Sequence, residues 1–312
     1  MSQLQKIDQP PRDLVVAVGA ATDVGGRATN EDTIAAVELA ESPPAPGGPP
    51  APTYLLAVAD GMGGHADGEV ASRLAIDTLR AAVGNEPGAD AGLLFKQAFR
   101  RANETIYAQG AATGGERPMG TTLVAALLRG QYATVANVGD SRAYLLRAKG
   151  LTQITRDHTF VADEVARGAL TPEQARRSPQ RNVLTQALGS GPKLDAKLPA
   201  IYELTLLPDD RLLLCSDGFV DVLENADLIA AMLGRDAPAA ARLLVDLARE
   251  RGAADNVSAV VAEAVPTRVS VVSAAAAAPP RGRLSTPVIV LIAAIVVIVL
   301  VAAVYLLSAN FF

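Results

Sequence analysis

Three short apolar runs in this chain end in the same way, with an aspartate that is followed directly by glycine or serine. The runs end at Asp60, Asp140 and Asp217, and each has the length and aliphatic composition of a buried strand. A strand end holds a side chain accurately because the sheet behind it is rigid. The pattern predicts a β-rich domain with acidic side chains at the ends of its strands.

The other elements group strands with strands and helices in pairs. Strands are predicted at 14–20, 33–39, 54–60, 201–207, 211–217 and 256–264, and helices at 67–83, 89–109, 225–233 and 237–251. Three apolar runs between 121 and 150 are predicted to form an antiparallel meander, and a Pro/Gly-rich loop at 41–52 separates the second and third strands. This order indicates an α+β fold with layered sheets rather than a doubly wound parallel sheet.

The two ends of the chain differ in composition from its middle. Residues 1–13 are polar and contain two prolines, which predicts a disordered lead before an organised region at 14–265. An Ala/Pro-rich linker at 266–287 is followed by an apolar, uncharged stretch at 288–307. As a helix this stretch would be about 30 Å long, which matches the hydrocarbon core of a bilayer. We therefore expect a transmembrane helix there.

Charge asymmetry predicts how that helix is oriented. Arg281 and Arg283 precede it, and residues 308–312 beyond it contain no basic residue. The positive-inside rule then places the main domain in the cytoplasm, so we expect a single-pass protein of the cell membrane with a terminal tether. A buried core helix is the disfavoured alternative because no polar face interrupts the run.

Composition excludes several classes of protein. The net charge of −5 argues against a nucleic-acid surface. The chain has only two histidines, His65 and His158, so a zinc site built mainly on imidazoles is excluded. The single cysteine, Cys215, fits a reducing compartment. It is not a cysteine-phosphatase nucleophile, because Asp221 stands where that motif needs an arginine.

Two further acidic groups join the three strand-end aspartates as candidates for one metal site. Asp255 precedes the last strand, and Glu31 and Asp32 precede the second. Each aspartate alone is explained more simply as a turn cap. Clustered carboxylates, however, repel one another unless a cation such as Mg²⁺ or Mn²⁺ neutralises them. Arg27 lies just upstream and suits a phosphate group, although a surface salt bridge would explain it equally well.

Seven short motifs, in order, resemble the metal-dependent protein phosphatases of the PPM or 2C type, especially the bacterial branch. The motifs are Arg27-Ala-Thr-Asn-Glu-Asp32, Ala59-Asp-Gly-Met-Gly-Gly-His-Ala-Asp-Gly-Glu69, Met119-Gly-Thr-Thr122, Val138-Gly-Asp-Ser-Arg142, Asp157-His-Thr159, Cys215-Ser-Asp-Gly218 and Ala254-Asp-Asn256. The resemblance covers residues 14–264. It implies a four-layer α-β-β-α sandwich of two antiparallel sheets flanked by helices, and a protein serine/threonine phosphatase.

The same resemblance implies a set of metal ligands. Asp60 would bridge two ions, Mn²⁺ or Mg²⁺, and the Gly61 carbonyl would bind one of them. Asp217 and Asp255 would bind the other ion. Asp140, together with Asp217, would bind a weaker third ion. An activated hydroxide would then attack phosphoserine or phosphothreonine directly, without a phospho-enzyme.

Further roles follow from the resemblance for residues around the metals. Arg27 would bind the substrate phosphate, and Glu31 and Asp32 would bind water molecules on the metals. His65 is implied as a general acid only by a loose match, because relatives that use a histidine carry it where this chain has Met62. A role in bracing the loop explains His65 equally well.

Residues 157–190 resemble the mobile flap beside the active site of bacterial members. A solvated face is the favoured interpretation for most of its basic residues, with contact to a phosphoprotein as the alternative; they are Arg167, Arg176, Arg177 and Arg181. The resemblance implies phosphorylated proteins as partners, and the predicted membrane tether suggests membrane serine/threonine kinases or their targets. The catalytic domain is expected to be monomeric. The rival hypothesis is a catalytically degenerate fold that serves as a membrane-tethered binding module. The presence of every implied metal aspartate argues against it.

Overall fold

The computed structural model describes residues 14–43, 50–64, 66–86, 88–113 and 119–266 of the 312-residue chain. The predicted lead, the linker from 267 on and the apolar stretch at 288–307 lie outside these residues, so their predicted structure stays a prediction. Among the helices that are described, none combines the length and the hydropathy needed to cross a membrane.

Eleven strands and six α-helices make up the described region. The strands are β1 (Leu14–Asp23), β2 (Asp32–Ser42), β3 (Ala51–Met62), β4 (Gly120–Thr121), β5 (Leu123–Arg129), β6 (Tyr132–Val138), β7 (Arg142–Arg147), β8 (Gly150–Gln153), β9 (Ala200–Thr205), β10 (Arg211–Cys215) and β11 (Val257–Pro266). The helices are α1 (Ala66–Asn85), α2 (Ala91–Thr113), α3 (Phe160–Ala166), α4 (Pro172–Arg177), α5 (Asn225–Met232) and α6 (Ala237–Glu250). Every strand and helix predicted from periodicity is present, with its bounds shifted by a few residues.

The strands form two antiparallel sheets. One has the spatial order β1-β11-β10-β7-β8, and the other has the order β2-β3-β5-β6-β9 with β4 beside the end of β3. The predicted meander is wrong in one respect. β5 and β6 pair as a hairpin, but β7 belongs to the other sheet and pairs with β8 and β10. Both β6 and β7 are apolar on both faces, so their pattern does not indicate which sheet each one joins.

Alternation along β3 shows how the layers stack. Leu55, Ala57 and Ala59 pack with residues of α1 and α2 in one hydrophobic cluster. Leu56 and Val58 belong to a second cluster between the two sheets, because successive strand side chains point to opposite faces. A third cluster joins α5 and α6 to the outer face of the five-stranded sheet. Three apolar interfaces require four layers, so the expected α-β-β-α sandwich is confirmed.

Loops from both sheets meet at one edge of the sandwich. In an antiparallel sheet the end of one strand lies beside the start of its neighbour. Asp32, at the start of β2, therefore pairs directly with Asp60 near the end of β3. In the other sheet, Cys215 at the end of β10 pairs with Arg142 at the start of β7. Acidic residues just beyond these ends are thereby brought to a common edge.

Candidate metal centre

One cleft of about 450 Å³ opens at this edge and collects the acidic residues singled out in the sequence. Its lining includes Arg27, Glu31, Asp60, Gly61, Asp140, Asp217 and Asp255. Asp32 does not line the cleft but is buried next to Asp60 across the β2–β3 pair. The convergence expected from the strand-end pattern is therefore confirmed for these residues. His65 lies outside the described residues.

Burial and mutual repulsion raise the pKa values of the carboxyl groups at this site. Burial is the main cause at Asp60, whose pKa lies well above its usual range, and the charges of Asp32 and Asp217 add to the effect. Burial likewise raises the pKa of Asp32 to about 7 and that of Asp140 to about 8. At Asp217 burial and the charge of Asp255 raise the pKa. These carboxyl groups repel one another when they are ionised, and a bound cation would neutralise that repulsion.

Some of these carboxylate oxygens are buried without a hydrogen-bond partner among the described residues. They are both oxygens of Asp32 and Oδ1 of Asp217. The hydroxyls of Ser216 and Ser258 offset part of the rise in the pKa of Asp32, although neither makes a well-formed hydrogen bond to it. Buried polar atoms are nearly always paired, so unpaired carboxylate oxygens mark a place where an ion or an ordered water completes the structure.

The backbone at Gly61 approaches its neighbours too closely for any side chain. A Cβ at Gly61 would overlap the carbonyl oxygen of Gly68 and would lie 2.7 Å from that of Glu31. The Gly61 N–H also donates to the Glu31 carbonyl at 3.2 Å. Close packing therefore requires a glycine directly after Asp60 and fixes the backbone there. The role of the Gly61 carbonyl as a metal ligand stays a prediction.

The chemistry of the donors fits a hard divalent cation. Among the described residues that line the cleft, the ionisable ligands are all carboxylates, which Mg²⁺ and Mn²⁺ prefer. In the part of the chain that the structure describes, no group of three or more His, Cys, Asp or Glu side chains is arranged so that it could hold a metal ion. Asp255, for example, is turned toward Arg27. The fit therefore rests on the type of donor, the raised pKa values and the unpaired oxygens.

Arg27 stands at the rim of the carboxylate cluster. Its Nη2 donates to Asp255 Oδ2 at 2.6 Å, and 53% of the arginine side chain is exposed. Asn256 ties the loop of Arg27 to this turn, since its Nδ2 donates to two carbonyl groups of the loop and its Oδ1 accepts the Glu31 N–H at 2.9 Å. A guanidinium held in this way keeps further N–H donors available for phosphate oxygens.

The structure adds residues to which the sequence assigned no role. Thr122 lines the cleft, and its hydroxyl accepts the backbone N–H of Asp60 at 3.0 Å. Asn182 and Leu184 line the cleft from the flap. Thr122 lies in one of the seven motifs, so its position was visible although its contact was not. Asn182 lies in a polar stretch without periodicity and gives no signal in the sequence.

The flap at 157–190 contains α3 and α4 and is anchored near both ends. At its start, Arg142 donates to the carboxylate of Asp157 through Nε and Nη2. Near its end, Leu188 forms a β-bridge with Thr121. Within the flap, α4 begins directly after Thr171, whose hydroxyl accepts the Gln174 N–H at 3.2 Å.

The basic residues of the flap face solvent and pair with acidic neighbours. No flap arginine is among the described residues that line the cleft. Exposed pairs of this kind contribute little to stability, with a typical range of about 0–1 kcal/mol. The favoured interpretation of a solvated face is consistent with these contacts. The pairs are Arg167–Glu164, Arg176–Glu173, Arg177–Glu173 and Arg181–Asp221.

Comparisons with known proteins relate the chain to one family. The protein phosphatase 2C family matches residues 18–257. Serine/threonine protein phosphatase PstP of Mycobacterium tuberculosis is 40% identical over 253 residues, which cover 81% of this chain and 46% of PstP. Serine/threonine phosphatase stp of Listeria innocua is 30% identical over 214 residues, covering 67% of this chain and 84% of that protein.

A solved structure of a relative matches the same region. The catalytic domain of PstP, in complex with two manganese ions, matches with a TM-score of 0.68 and 38% identity. The match covers 81% of this chain and 99% of that structure. The chain as a whole spans about half the length of PstP, since the aligned part is 46% of that protein.

Proposed function

Because the chain belongs to the protein phosphatase 2C family, we propose that it is a metal-dependent protein serine/threonine phosphatase. The observation that carries the proposal is the single cleft in which four aspartates, Glu31 and Arg27 meet. The cleft combines oxygen donors for divalent cations with a cation that suits phosphate. The names of the relatives, which are serine/threonine phosphatases, support the same reaction.

Carboxylates of the cleft are the residues that would hold the metal ions. Asp60, Asp217 and Asp255 would hold two ions, and Asp140 would hold a weaker third one. Such ions, when bound, supply the Lewis acidity that activates water for in-line attack on phosphorus. The two manganese ions in the PstP structure support Mn²⁺ as an ion that this site accepts, with Mg²⁺ as the alternative.

Arg27 is the residue that would bind the substrate phosphate. Asp255 fixes one edge of its guanidinium, and about half of the side chain is exposed where Arg27 lines the cleft. A fixed cation there stabilises the charge that develops on the phosphoryl oxygens. Glu31 lines the same cleft and would bind water molecules on the metals. The same role is proposed for Asp32, which is buried beside Asp60 on the paired strand. His65 as the proton donor to the leaving group remains a prediction.

Hydrolysis of p-nitrophenyl phosphate with Mn²⁺ or with EDTA tests the proposal. We expect turnover by the wild-type chain only with Mn²⁺, and at least ~100-fold less turnover by an Asp60→Asn variant. Asp246→Asn, an exposed change on α6, is the matched control and should behave like the wild type. Full turnover in EDTA, or full turnover by Asp60→Asn, would contradict the proposal. Absence of turnover by a wild-type chain that binds Mn²⁺ would favour the degenerate binding module.

We also propose that the stretch at 288–307 anchors the domain on the cytoplasmic side of the cell membrane. Its length, its lack of charge and the preceding Arg281 and Arg283 support this proposal. A flexible linker at 266–287 would have a root-mean-square reach of roughly 25 Å, which keeps the domain near the bilayer. Phosphorylated proteins at the membrane, including serine/threonine kinases, are then the substrates within reach.

Cell fractionation tests the anchor independently of the activity. We expect the full chain in the membrane pellet and a variant without residues 288–307 in the supernatant. Recovery of the full chain in the supernatant would contradict the anchor and leave the proposed reaction untouched.

A further inference from the structure

Two buried hydroxyl groups connect the turns that carry Asp60 and Asp140. The Asp60 N–H donates to Thr122 Oγ1 at 3.0 Å, and this oxygen lies 2.7 Å from Ser141 Oγ. Only 2% of Thr122 and none of Ser141 is exposed, so water does not compete for these bonds. A continuous chain of hydrogen bonds therefore leads from the backbone of Asp60 to Ser141, the residue that follows Asp140.

Thr122 also holds the other side of the Asp60 peptide. Its N–H donates to the Asp60 carbonyl at 2.9 Å, and the Thr121 hydroxyl donates to the same carbonyl at 2.8 Å. Pairing of Asp60 with Asp32 on β2 gives a further restraint. The Asp60 backbone is thus fixed by several bonds, of which the Thr122 hydroxyl supplies one.

The turn that carries Asp140 packs directly on the same threonine. Gly139 has φ +103°, and a Cβ there would lie 2.6 Å from Thr122 Cβ and Cγ2. The methyl group of Thr122 therefore fills the space beside Gly139, while its hydroxyl bonds to Ser141. On its Gly139 side the turn is held by His158, whose Nδ1 accepts the Gly139 N–H at 3.0 Å and whose own N–H donates to the Gly139 carbonyl at 3.0 Å, and by Asn137 Nδ2 at 3.3 Å from that carbonyl. Asp140 lies between these contacts and the Thr122–Ser141 bond, so loss of the Thr122 hydroxyl would free the Ser141 side of the turn.

We propose that Thr122 is a positioning residue that, through Ser141, sets the place of Asp140 relative to Asp60. Its hydroxyl would then control the affinity of the weaker ion held by Asp140 more than the affinity of the pair held around Asp60. The inference rests on the proposed function, since it assumes that these aspartates bind metal. Hydrogen-bonding partners of ligands typically change metal affinity by about 10- to 100-fold.

Mn²⁺ titration of the purified full chain, followed by calorimetry and by electron paramagnetic resonance of free Mn²⁺, tests this inference without substrate. Thr122→Val removes the hydroxyl and keeps the shape, and we expect it to weaken the lower-affinity class of Mn²⁺ by about tenfold or more. Thr122→Ser retains the hydroxyl and should restore binding to within about twofold of the wild type. Ser141→Ala cuts the same chain one step further on and should show the same selective loss.

The hydroxyl pair Ser42–Thr53 provides a matched control. Ser42 Oγ and Thr53 Oγ1 are 2.8 Å apart, both residues are buried, and they join β2 to β3 at the far end of the same strands. Thr53→Val should therefore cost similar stability but leave both classes of Mn²⁺ affinity unchanged.

The outcomes separate this inference from the proposed function. If Thr122→Val or Ser141→Ala folds and binds Mn²⁺ like the wild type, the positioning role is wrong while the enzyme proposal stands. An equal loss in Thr53→Val would also overturn it, because the effect would then follow from general destabilisation. If Thr122→Val does not fold, Ser141→Ala decides the question. A wild-type chain without any Mn²⁺ binding would instead refute the proposed function.

Discussion

Arg27 shares its only described ion pair with a carboxylate that is itself a candidate metal ligand. The contact to Asp255 is short, at 2.6 Å, yet half of the arginine side chain is open to solvent. A pair exposed to this degree adds little to folding. The contact instead orients the Arg27 side chain, because a guanidinium held on one edge presents the other edge to an incoming phosphate.

Arg27→Ala is therefore expected to impair substrate use and not folding. Loss of a charge-assisted hydrogen bond costs about 1.5–3 kcal/mol, so kcat/KM should fall roughly 10- to 100-fold with an unchanged melting temperature. Arg73→Ala is the matched control, because Arg73 is 52% exposed and pairs with Glu69 at 2.9 Å. Steady-state kinetics on a phosphothreonine peptide provides the measurement. Equal kinetics for the two variants would argue that Arg27 makes only a surface salt bridge.

At this scale the sequence revealed the ionisable groups and missed the neutral ones. Asp60, Asp140 and Asp217 stand out because each ends an apolar run, and the structure places all three in one cleft. Thr122 and Asn182 do not stand out, because a hydroxyl near a strand end and an amide in a polar stretch are both common. Their roles depend on contacts between segments far apart in the chain, which no local pattern encodes.

Among the elements, the flap is held at its first residue by one partly buried ion pair. Arg142 on β7 grips both oxygens of Asp157 and also donates to the Tyr144 hydroxyl at 3.0 Å. The side chains of Arg142 and Asp157 are 21% and 13% exposed. Removal of one member of such a pair leaves the other charge uncompensated in a partly desolvated place, which is costly.

Asp157→Asn should lower the free energy of unfolding by about 2–4 kcal/mol. Asp163→Asn is the control, because its pair with Arg156 is exposed and should be worth about 0.5 kcal/mol. Urea unfolding of both variants gives the comparison. A loss for Asp157→Asn no larger than that for Asp163→Asn would show that the flap is anchored elsewhere.

The elements also show where periodicity stops being informative. The strands of the central layers were predicted at nearly their observed positions, because their apolar runs are long and bounded by glycine or aspartate. The sheet to which β7 belongs was predicted wrongly. A strand buried on both faces has no polar side to orient it, and a sharp turn at Gly139 is compatible with a hairpin or with a crossing to the other sheet.

For the molecule as a whole, the acidic cleft is a site where function opposes stability. Several carboxylates with raised pKa values lie together at one edge of a well-packed sandwich. Without bound cations, the folded chain either keeps these carboxyl groups protonated or is destabilised by their mutual repulsion. Binding of cations by the folded chain removes that cost.

Stability in EDTA should therefore fall as the pH rises. Asp32 and Asp140 have folded pKa values of about 7 and about 8 against 3.8 in the unfolded chain. Their contribution to stability is thus fully present below about pH 4 and is lost as the pH rises through 7 and 8. We expect the free energy of unfolding in EDTA to be lower at pH 8 than at pH 5 by at least ~2 kcal/mol.

Two comparisons check the origin of that pH dependence. Saturating Mn²⁺ should restore the stability lost at pH 8, because the ions replace the missing protons. Asp32→Asn combined with Asp140→Asn should flatten the dependence measured in EDTA. Stability that is equal or higher at pH 8 in EDTA would contradict the assigned pKa shifts.

Periodicity predicted the strands, the helices and an α+β fold with layered sheets, whereas the four-layer sandwich was predicted only through the family resemblance of the motifs. The membrane anchor rests on the sequence alone, since residues 288–307 lie outside the described region. Hydropathy and flanking charge carry that prediction, and cell fractionation tests it.

Release of phosphate from a phosphothreonine peptide by the purified full chain tests the central claim most directly. With Mn²⁺ present the account predicts steady release, with none in EDTA, full recovery when Mn²⁺ is restored, and at least ~100-fold slower release by Asp60→Asn. Release that continues in EDTA, or that is undiminished in Asp60→Asn, would contradict the assignment of a metal-dependent phosphatase.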